Sequence, residues 1–298
     1  MGRAKVEEIE CKSALNRVEG MSFGWSLNPY RGCEHGCAYC FARSTHHYFE
    51  LGVGDDFSGI LFAKINVAKM LTREIGRRTW RRDSVAIGTA TDPYQPIEGT
   101  YKLTRECLSV LARYRTPTSI VTKGTLIVRD LDVLGDLAER AGVTVCHSIP
   151  TVDESIWRRS EPGTPPPWQR LKAMARLRSH GIKAGVLMAP LLPGLSALPE
   201  QMERTATAAA ANGAAFLGAG TLHLGPAVRE HFLTFLDREF PELSAEYGRL
   251  YPGKYAPKVY THDVEAMVGR LRDTYALHER GMVYRAPAAV PAQLALGI

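Results

Sequence analysis

No stretch of this 298-residue chain comes near 18 consecutive apolar residues, so no membrane-spanning helix and no membrane partner are expected. The opening MGRAKVEEIECK has no apolar core segment, so no secretory signal is read there and the cytoplasm is the expected compartment. Repeats and low-complexity tracts are missing from the first 280 residues. Neither sign of charge dominates: 37 Lys and Arg face 31 Asp and Glu, a net charge of +6. That surplus is compatible with polyanion binding and equally with an ordinary solvated surface. Hydrophobic residues at 45% and charged residues at 23% argue against a disordered, collagen-like or disulfide-scaffold protein. Cysteine is sparse, with six in all, and a chain of this length needs no disulfides for its core. Three of the six crowd into eight residues, which points to metal.

Between the ends, short β-branched runs alternate with longer amphipathic runs. Strands are read at 84–89, 117–122, 143–149, 183–189 and 214–222, and helices at 103–114, 130–141, 167–180, 199–211 and 227–240. Trp25–Tyr30 supplies a first strand. Such alternation demands parallel strands with helical crossovers. The expected fold is α/β, a partial (β/α)6 TIM-type barrel with an N-terminal extension and a C-terminal helical segment. An eight-unit barrel takes about 250 residues, more than the alternating region offers. An open doubly wound sheet is the rival. The expected division is an extension over 1–24, a barrel core over 25–225, a helical closure over 226–284 and a flexible tail over 285–298. In either architecture, ligands gather at the C-terminal ends of the strands.

The cysteine group is Cys33-Glu34-His35-Gly36-Cys37-Ala38-Tyr39-Cys40, a C-x3-C-x2-C motif. Three thiolates on a tight loop can face one inorganic cluster and are one ligand short of a closed site. A zinc site completed by His35 is the alternative. Cys11, Cys107 and Cys146 are isolated and read as small buried hydrophobes. Arg77-Arg78-Thr79-Trp80-Arg81-Arg82 can grip phosphates and stack on a base, or simply end a helix, where cations are favoured.

At the cysteine motif the sequence resembles the radical S-adenosylmethionine superfamily, with Tyr39 at the aromatic position. Thr91-Asp92-Pro93-Tyr94-Gln95-Pro96-Ile97-Glu98, Val121-Thr122-Lys123, Arg129-Asp130-Leu131-Asp132, Glu161-Pro162-Gly163-Thr164 with Arg170, and Met188-Ala189-Pro190 are similar to the group around spore photoproduct lyase. Lys12-Ser13-Ala14-Leu15-Asn16 and Asn28-Pro29-Tyr30-Arg31-Gly32 resemble an actinobacterial-type branch of it. The resemblance implies a 4Fe–4S cluster on Cys33, Cys37 and Cys40, with S-adenosyl-L-methionine chelated at the open iron. An electron would then release a 5′-deoxyadenosyl radical.

It also implies site roles. Thr91 matches the residue near the methionine amino group, and Lys123 the lysine that meets its carboxylate. Ser148 is placed to bond the ribose, and Ala189 with its neighbours to pack the adenine. Asp92, Tyr94, Gln95 and Glu98 are expected at the mouth as substrate contacts, with His223 as a further one. Glu161 and Arg170 are expected to hold the loop after the fourth strand. His46 and His47 read as proton donors or as structural groups. Where the lyase keeps a hydrogen-donating cysteine, this chain has Thr89, whose O–H bond is too strong for that task. Cys146 is the candidate thiol from another direction, against a core role.

The leading expectation is an enzyme that abstracts hydrogen from a small molecule, a nucleoside type included. Its partners would be that substrate and an electron donor such as flavodoxin or ferredoxin. Repair or modification of nucleic acid is the second expectation, and a non-catalytic iron–sulfur binding or sensing protein the third.

Overall fold

The computed structural model describes residues 4–278, so the Pro/Ala-rich stretch over 285–298 lies outside the described residues. The chain opens with β1 (Lys5–Ile9), β2 (Leu15–Arg17), β3 (Trp25–Leu27) and β4 (Tyr30–Arg31). The cysteine loop, a 3-10 helix over Phe41–Phe49, α1 (Asp56–Gly59) and β5 (Ile60–Lys64) follow. Alternation then begins with α2 (Val67–Ile75), β6 (Val85–Ile87), α3 (Glu98–Tyr101), α4 (Leu103–Arg113) and β7 (Thr118–Thr122). It continues through α5 (Leu131–Arg140), β8 (Val143–Ser148), α6 (Glu154–Ser160), α7 (Pro167–Ser179) and β9 (Lys183–Leu191). The last units are α8 (Pro199–Ala211), β10 (Leu217–Thr221), α9 (Pro226–Glu239), α10 (Ser244–Leu250) and α11 (Lys258–Tyr275). Helices α7, α8 and α9 each carry proline in the first turn, where its missing N–H costs nothing. Asp153 caps α6 by accepting from the amides of Ser155 and Ile156.

The main sheet has the order β10-β9-β8-β7-β6-β3-β2. Strands β3 and β6 to β10 are all parallel, and β2 joins β3 antiparallel at one edge. Each parallel strand lies beside its predecessor, always on the same side. A doubly wound sheet would reverse direction at a switch point, and this one does not. The architecture is therefore the six-unit partial barrel. At its other edge, the Leu217 amide of β10 donates to the Leu277 carbonyl, so that edge is covered.

A second, small sheet of order β1-β5-β4 was not legible in the sequence. Its strands are two to five residues long, too short for an alternation signal. It matters because β4 leads straight into Gly32 and the cysteine loop. Among the described residues, Cys33, Ala42 and Phe57 form a small apolar cluster beside the cysteine loop, and two large apolar cores hold the molecule. The larger lies between sheet and helices, with Leu111, Ile120, Leu134, Val145, Met174 and Val186 fully buried. The smaller joins Phe232, Phe235, Leu236 and Tyr247 of the C-terminal helices to Leu192 and to Cys37, Ala38 and Tyr39. The C-terminal helices thus pack directly on the cysteine loop. Among the described residues, no helix is long and apolar enough to cross a membrane.

Candidate active site

A cavity of about 350 Å³ opens at the C-terminal ends of the parallel strands. Cys33, Cys37, Cys40 and Tyr39 form one wall, Thr91 and Asp92 another, and Lys123, Ser148, Ala189 and His223 the far side.

The cysteine loop is held from four directions. Gly32 adopts φ +73, and a Cβ there would meet Leu61 and two backbone oxygens at 2.8–2.9 Å, so only glycine fits. The Gly32 carbonyl accepts from the Thr91 hydroxyl at 2.6 Å and from Gln95 Nε2 at 3.1 Å. Gln95 Oε1 accepts from the Glu34 amide at 3.0 Å. Arg43, buried in the 3-10 helix, donates to the carbonyls of Cys37, Gly36, Val53 and Gly54 at 2.7–3.0 Å. Gly163 packs so closely on the loop that a Cβ would lie 2.3 Å from the Glu34 oxygen. Its amide donates to the His35 carbonyl at 3.1 Å.

Behind Tyr39 lies a buried charge network. The Tyr39 hydroxyl donates to Glu161, which Arg170 and Lys123 also engage, the latter at 3.0 Å. Lys123 Nζ donates to Ser148 Oγ at 2.6 Å, and Ser148 in turn donates to the Ala189 carbonyl at 3.0 Å. Burial alone would raise the Glu161 carboxyl, but Arg170 and Lys123 hold it down to about 2. Two cations thus meet the single Glu161 carboxylate.

Asp92 reaches the cavity wall with both oxygens committed. Oδ1 accepts from the Tyr94 amide at 2.8 Å and the Thr122 hydroxyl at 2.6 Å. Oδ2 accepts from the Lys123 amide at 2.6 Å and lies 3.3 Å from His35 Nδ1. Against the opposing effect of burial, these partners keep its carboxyl well below the usual range. Asp92 thus ties the end of β7 to the loop after β6.

Several sequence expectations land elsewhere. Tyr94, Gln95 and Glu98 are fully buried and are not brought to the cavity. Tyr94 belongs to the main core, and Gln95 clamps the cysteine loop. Glu98 accepts from the Tyr30 hydroxyl, the Thr104 amide and Arg129. Cys146 is half-buried one strand step below Ser148, paired across the sheet with Val121 and Gly185. It does not line the cavity, and burial alone pushes its thiol up to about 12. His46 is buried against Phe57 with Nε2 on the Ile60 carbonyl at 2.9 Å, while His47 is exposed, so neither faces the cavity. His223 does line the cavity, its ring 4.8 Å from that of Tyr255, and burial lowers its pKa. Arg43 gave no sequence signal, because its four acceptors are backbone carbonyls.

The donor set fits an iron–sulfur cluster. Cys33, Cys37 and Cys40 all line the one cavity and present three soft thiolate donors of the kind that hold iron–sulfur clusters.

Comparison with known proteins places this geometry. The family model described as Radical SAM superfamily matches residues 27–208. An uncharacterized protein of Mycobacterium tuberculosis (strain ATCC 25618 / H37Rv) is 40% identical over 296 residues, 97% of this chain and 87% of its own. A radical SAM Nalpha-GlyT isomerase of Pseudomonas phage M6 is 23% identical over 171 residues, 56% of this chain and 33% of its own. The fold is similar to that of spore photoproduct lyase complexed with dinucleoside spore photoproduct, with TM-score 0.71 at 15% identity, covering 91% of this chain and 79% of that one. With its family motif matched across most of the barrel, the chain belongs to the radical SAM superfamily and is a radical SAM enzyme.

Proposed function

We propose that a 4Fe–4S cluster on Cys33, Cys37 and Cys40 reductively cleaves S-adenosyl-L-methionine, and that hydrogen is then abstracted from a small, nucleoside-type substrate. The observation that carries this reading is the convergence of three thiols and the Lys123 ammonium on a single cavity. When bound, the cluster supplies the electron that breaks a sulfonium C–S bond to yield methionine and the 5′-deoxyadenosyl radical.

The chain's own residues bind and orient. Lys123 has three N–H donors; Ser148 and Glu161 take two, which leaves one for the methionine carboxylate. The Thr91 hydroxyl donates to Gly32 and accepts from Gln95, and so keeps one lone pair for the methionine ammonium. Ser148 likewise keeps a lone pair for a ribose hydroxyl. Leu187, Ala189 and Pro190 offer an apolar wall to the adenine and exclude water from it. His223 remains the substrate contact at the mouth, while Asp92, with both oxygens committed, holds the cavity wall. No step uses Cys146, which the sheet holds below the cavity floor. The electron donor is a flavodoxin or ferredoxin, and the reducing cytoplasm suits the cluster.

Anaerobic reconstitution with iron and sulfide, followed by S-adenosyl-L-methionine and dithionite, tests the reading. Formation of 5′-deoxyadenosine, lost when Cys33, Cys37 and Cys40 are replaced by alanine, is the expected result. A well-formed cluster with no cleavage in the presence of candidate substrates would overturn it.

A second reading, modification of nucleic acid, draws on a groove lined by Arg77, Arg78, Arg82, Arg113, Arg115 and Trp80. None of these arginines forms an ion pair among the described residues. The groove lies before β6 and β7, at the end of the barrel away from the cavity. It can hold a polyanion but does not lead to the mouth. Salt-sensitive oligonucleotide binding abolished by arginine substitution would favour this reading.

A further inference from the structure

A second cavity, of about 190 Å³, lies beside the first, between β3, β4, β5 and the end of β6. Thr89 and Ala90 line both cavities and form their common wall. The second cavity is polar, lined by Ser26, Asn28, Arg31, Thr45 and Lys64 among others.

Its cations are unmatched. Lys64 is only 6% exposed, and its ammonium donates to the Asn28 carbonyl at 2.7 Å. Two of its three N–H donors are left over. Burial, then the neighbouring Arg31, pushes its pKa down to about 8, and no carboxylate acts on it. The Arg31 guanidinium lies over the Phe49 ring at 5.4 Å, and among the described residues no hydrogen bond or ion pair engages it. The nearby acids are committed elsewhere: Glu98 to Tyr30 and Arg129, and Glu74 to the amides of Ala14 and Leu15. A buried ammonium beside a guanidinium with no anion is costly in any folded chain. The arrangement is intelligible if an anion from outside completes it.

We propose that Lys64 and Arg31 form a phosphate subsite, which holds a phosphate group of the substrate while the carbon to be attacked lies in the larger cavity. The proposal rests on the reading of the larger cavity as the reaction site. Charge and donor count select phosphate over carboxylate. A phosphomonoester carries about two negative charges near neutral pH and three acceptor oxygens. It would balance both cations and occupy the spare donors of Lys64 and Arg31, with the Ser26 hydroxyl at hand. A carboxylate would leave one cation unmatched. The two cavities meet at Thr89 and Ala90, so the proposal requires the substrate to pass that pair of residues. On this account the substrate class is phosphorylated small molecules.

Calorimetric titration of inorganic phosphate into the reconstituted full-length protein tests this, with acetate at matched ionic strength as the second arm. Saturable phosphate binding is expected, with acetate weaker by about tenfold or more and Arg31→Gln and Lys64→Met each weakening phosphate by a similar factor. Absence of saturable phosphate binding to the wild-type protein, equal binding of acetate, or an undiminished affinity in Arg31→Gln would overturn it. Arg31 is half-buried at the cavity edge, so that variant decides the matter if Lys64→Met fails to fold. The titration needs neither S-adenosyl-L-methionine nor a reductant. Failure of cleavage with intact phosphate binding therefore refutes the proposed reaction, and the converse refutes the subsite.

Discussion

Replacing Glu161 by Gln isolates the charge network behind the cysteine loop. The carboxyl is held at about 2 against an ordinary 4.5. At about 1.36 kcal/mol per pKa unit, that difference corresponds to about 3 kcal/mol of folding stability at neutral pH. Because the folded-state value is depressed, this contribution is complete above the unfolded value and fades as pH falls from 4.5 towards 2. Arg170 is fully buried, and removing one partner of a buried pair costs about 3–5 kcal/mol. Urea denaturation of the full chain, followed by circular dichroism, reads the effect. Glu161→Gln should lower stability by about 3 kcal/mol at pH 7, and the gap to wild type should narrow on acidification. Arg170→Met in the Glu161→Gln background should recover part of the loss, since it removes the stranded cation. A loss below about 1 kcal/mol, or simple additivity of the two substitutions, would refute the assignment of Glu161 as the anchor of Arg170 and Lys123.

Three further outcomes follow from the same geometry. Gly163→Ala forces a methyl group to within 2.3 Å of the Glu34 carbonyl, so it should cost about 1–3 kcal/mol and reduce the iron retained after reconstitution. Arg43→Met strands four carbonyls of the cysteine loop and its flank; a loss of about 2–4 kcal/mol by urea denaturation, with reduced iron content, is expected. His147 is fully buried with neither ring nitrogen hydrogen-bonded, and burial lowers its pKa from 6.5 to about 4. The folded chain therefore favours the neutral ring, stability falls as pH drops from 6.5 towards 4, and His147→Leu should flatten that slope in urea titrations against pH.

The six parallel strands and their helices were legible because each unit carries its own local signal. β-branched runs such as Thr118–Thr122 are bounded by amphipathic segments such as Leu103–Arg113. The helix over Pro199–Ala211 was read to the residue, since proline marks its start and a run of alanines fills it. The cysteine motif was equally plain, for three cysteines within eight residues need no tertiary context. The small sheet of β1, β4 and β5 was not, because strands of two to five residues carry too little periodicity.

The roles of individual polar side chains divide differently. By itself the sequence carried the β/α alternation, the C-x3-C-x2-C spacing, and the placing of Lys123 just past β7 and Ser148 at the end of β8, all of which depend on local spacing; the one-directional strand order was settled by the structure. Only the tertiary structure decided that Gln95 and Glu98 turn inward as clamps, that Cys146 stays below the cavity and that Arg43 grips four carbonyls. Only it brought Lys64 from one sheet beside Arg31 and Thr89 from other strands. Those outcomes depend on which buried donor finds which acceptor across tens of residues, and chain spacing does not encode that pairing.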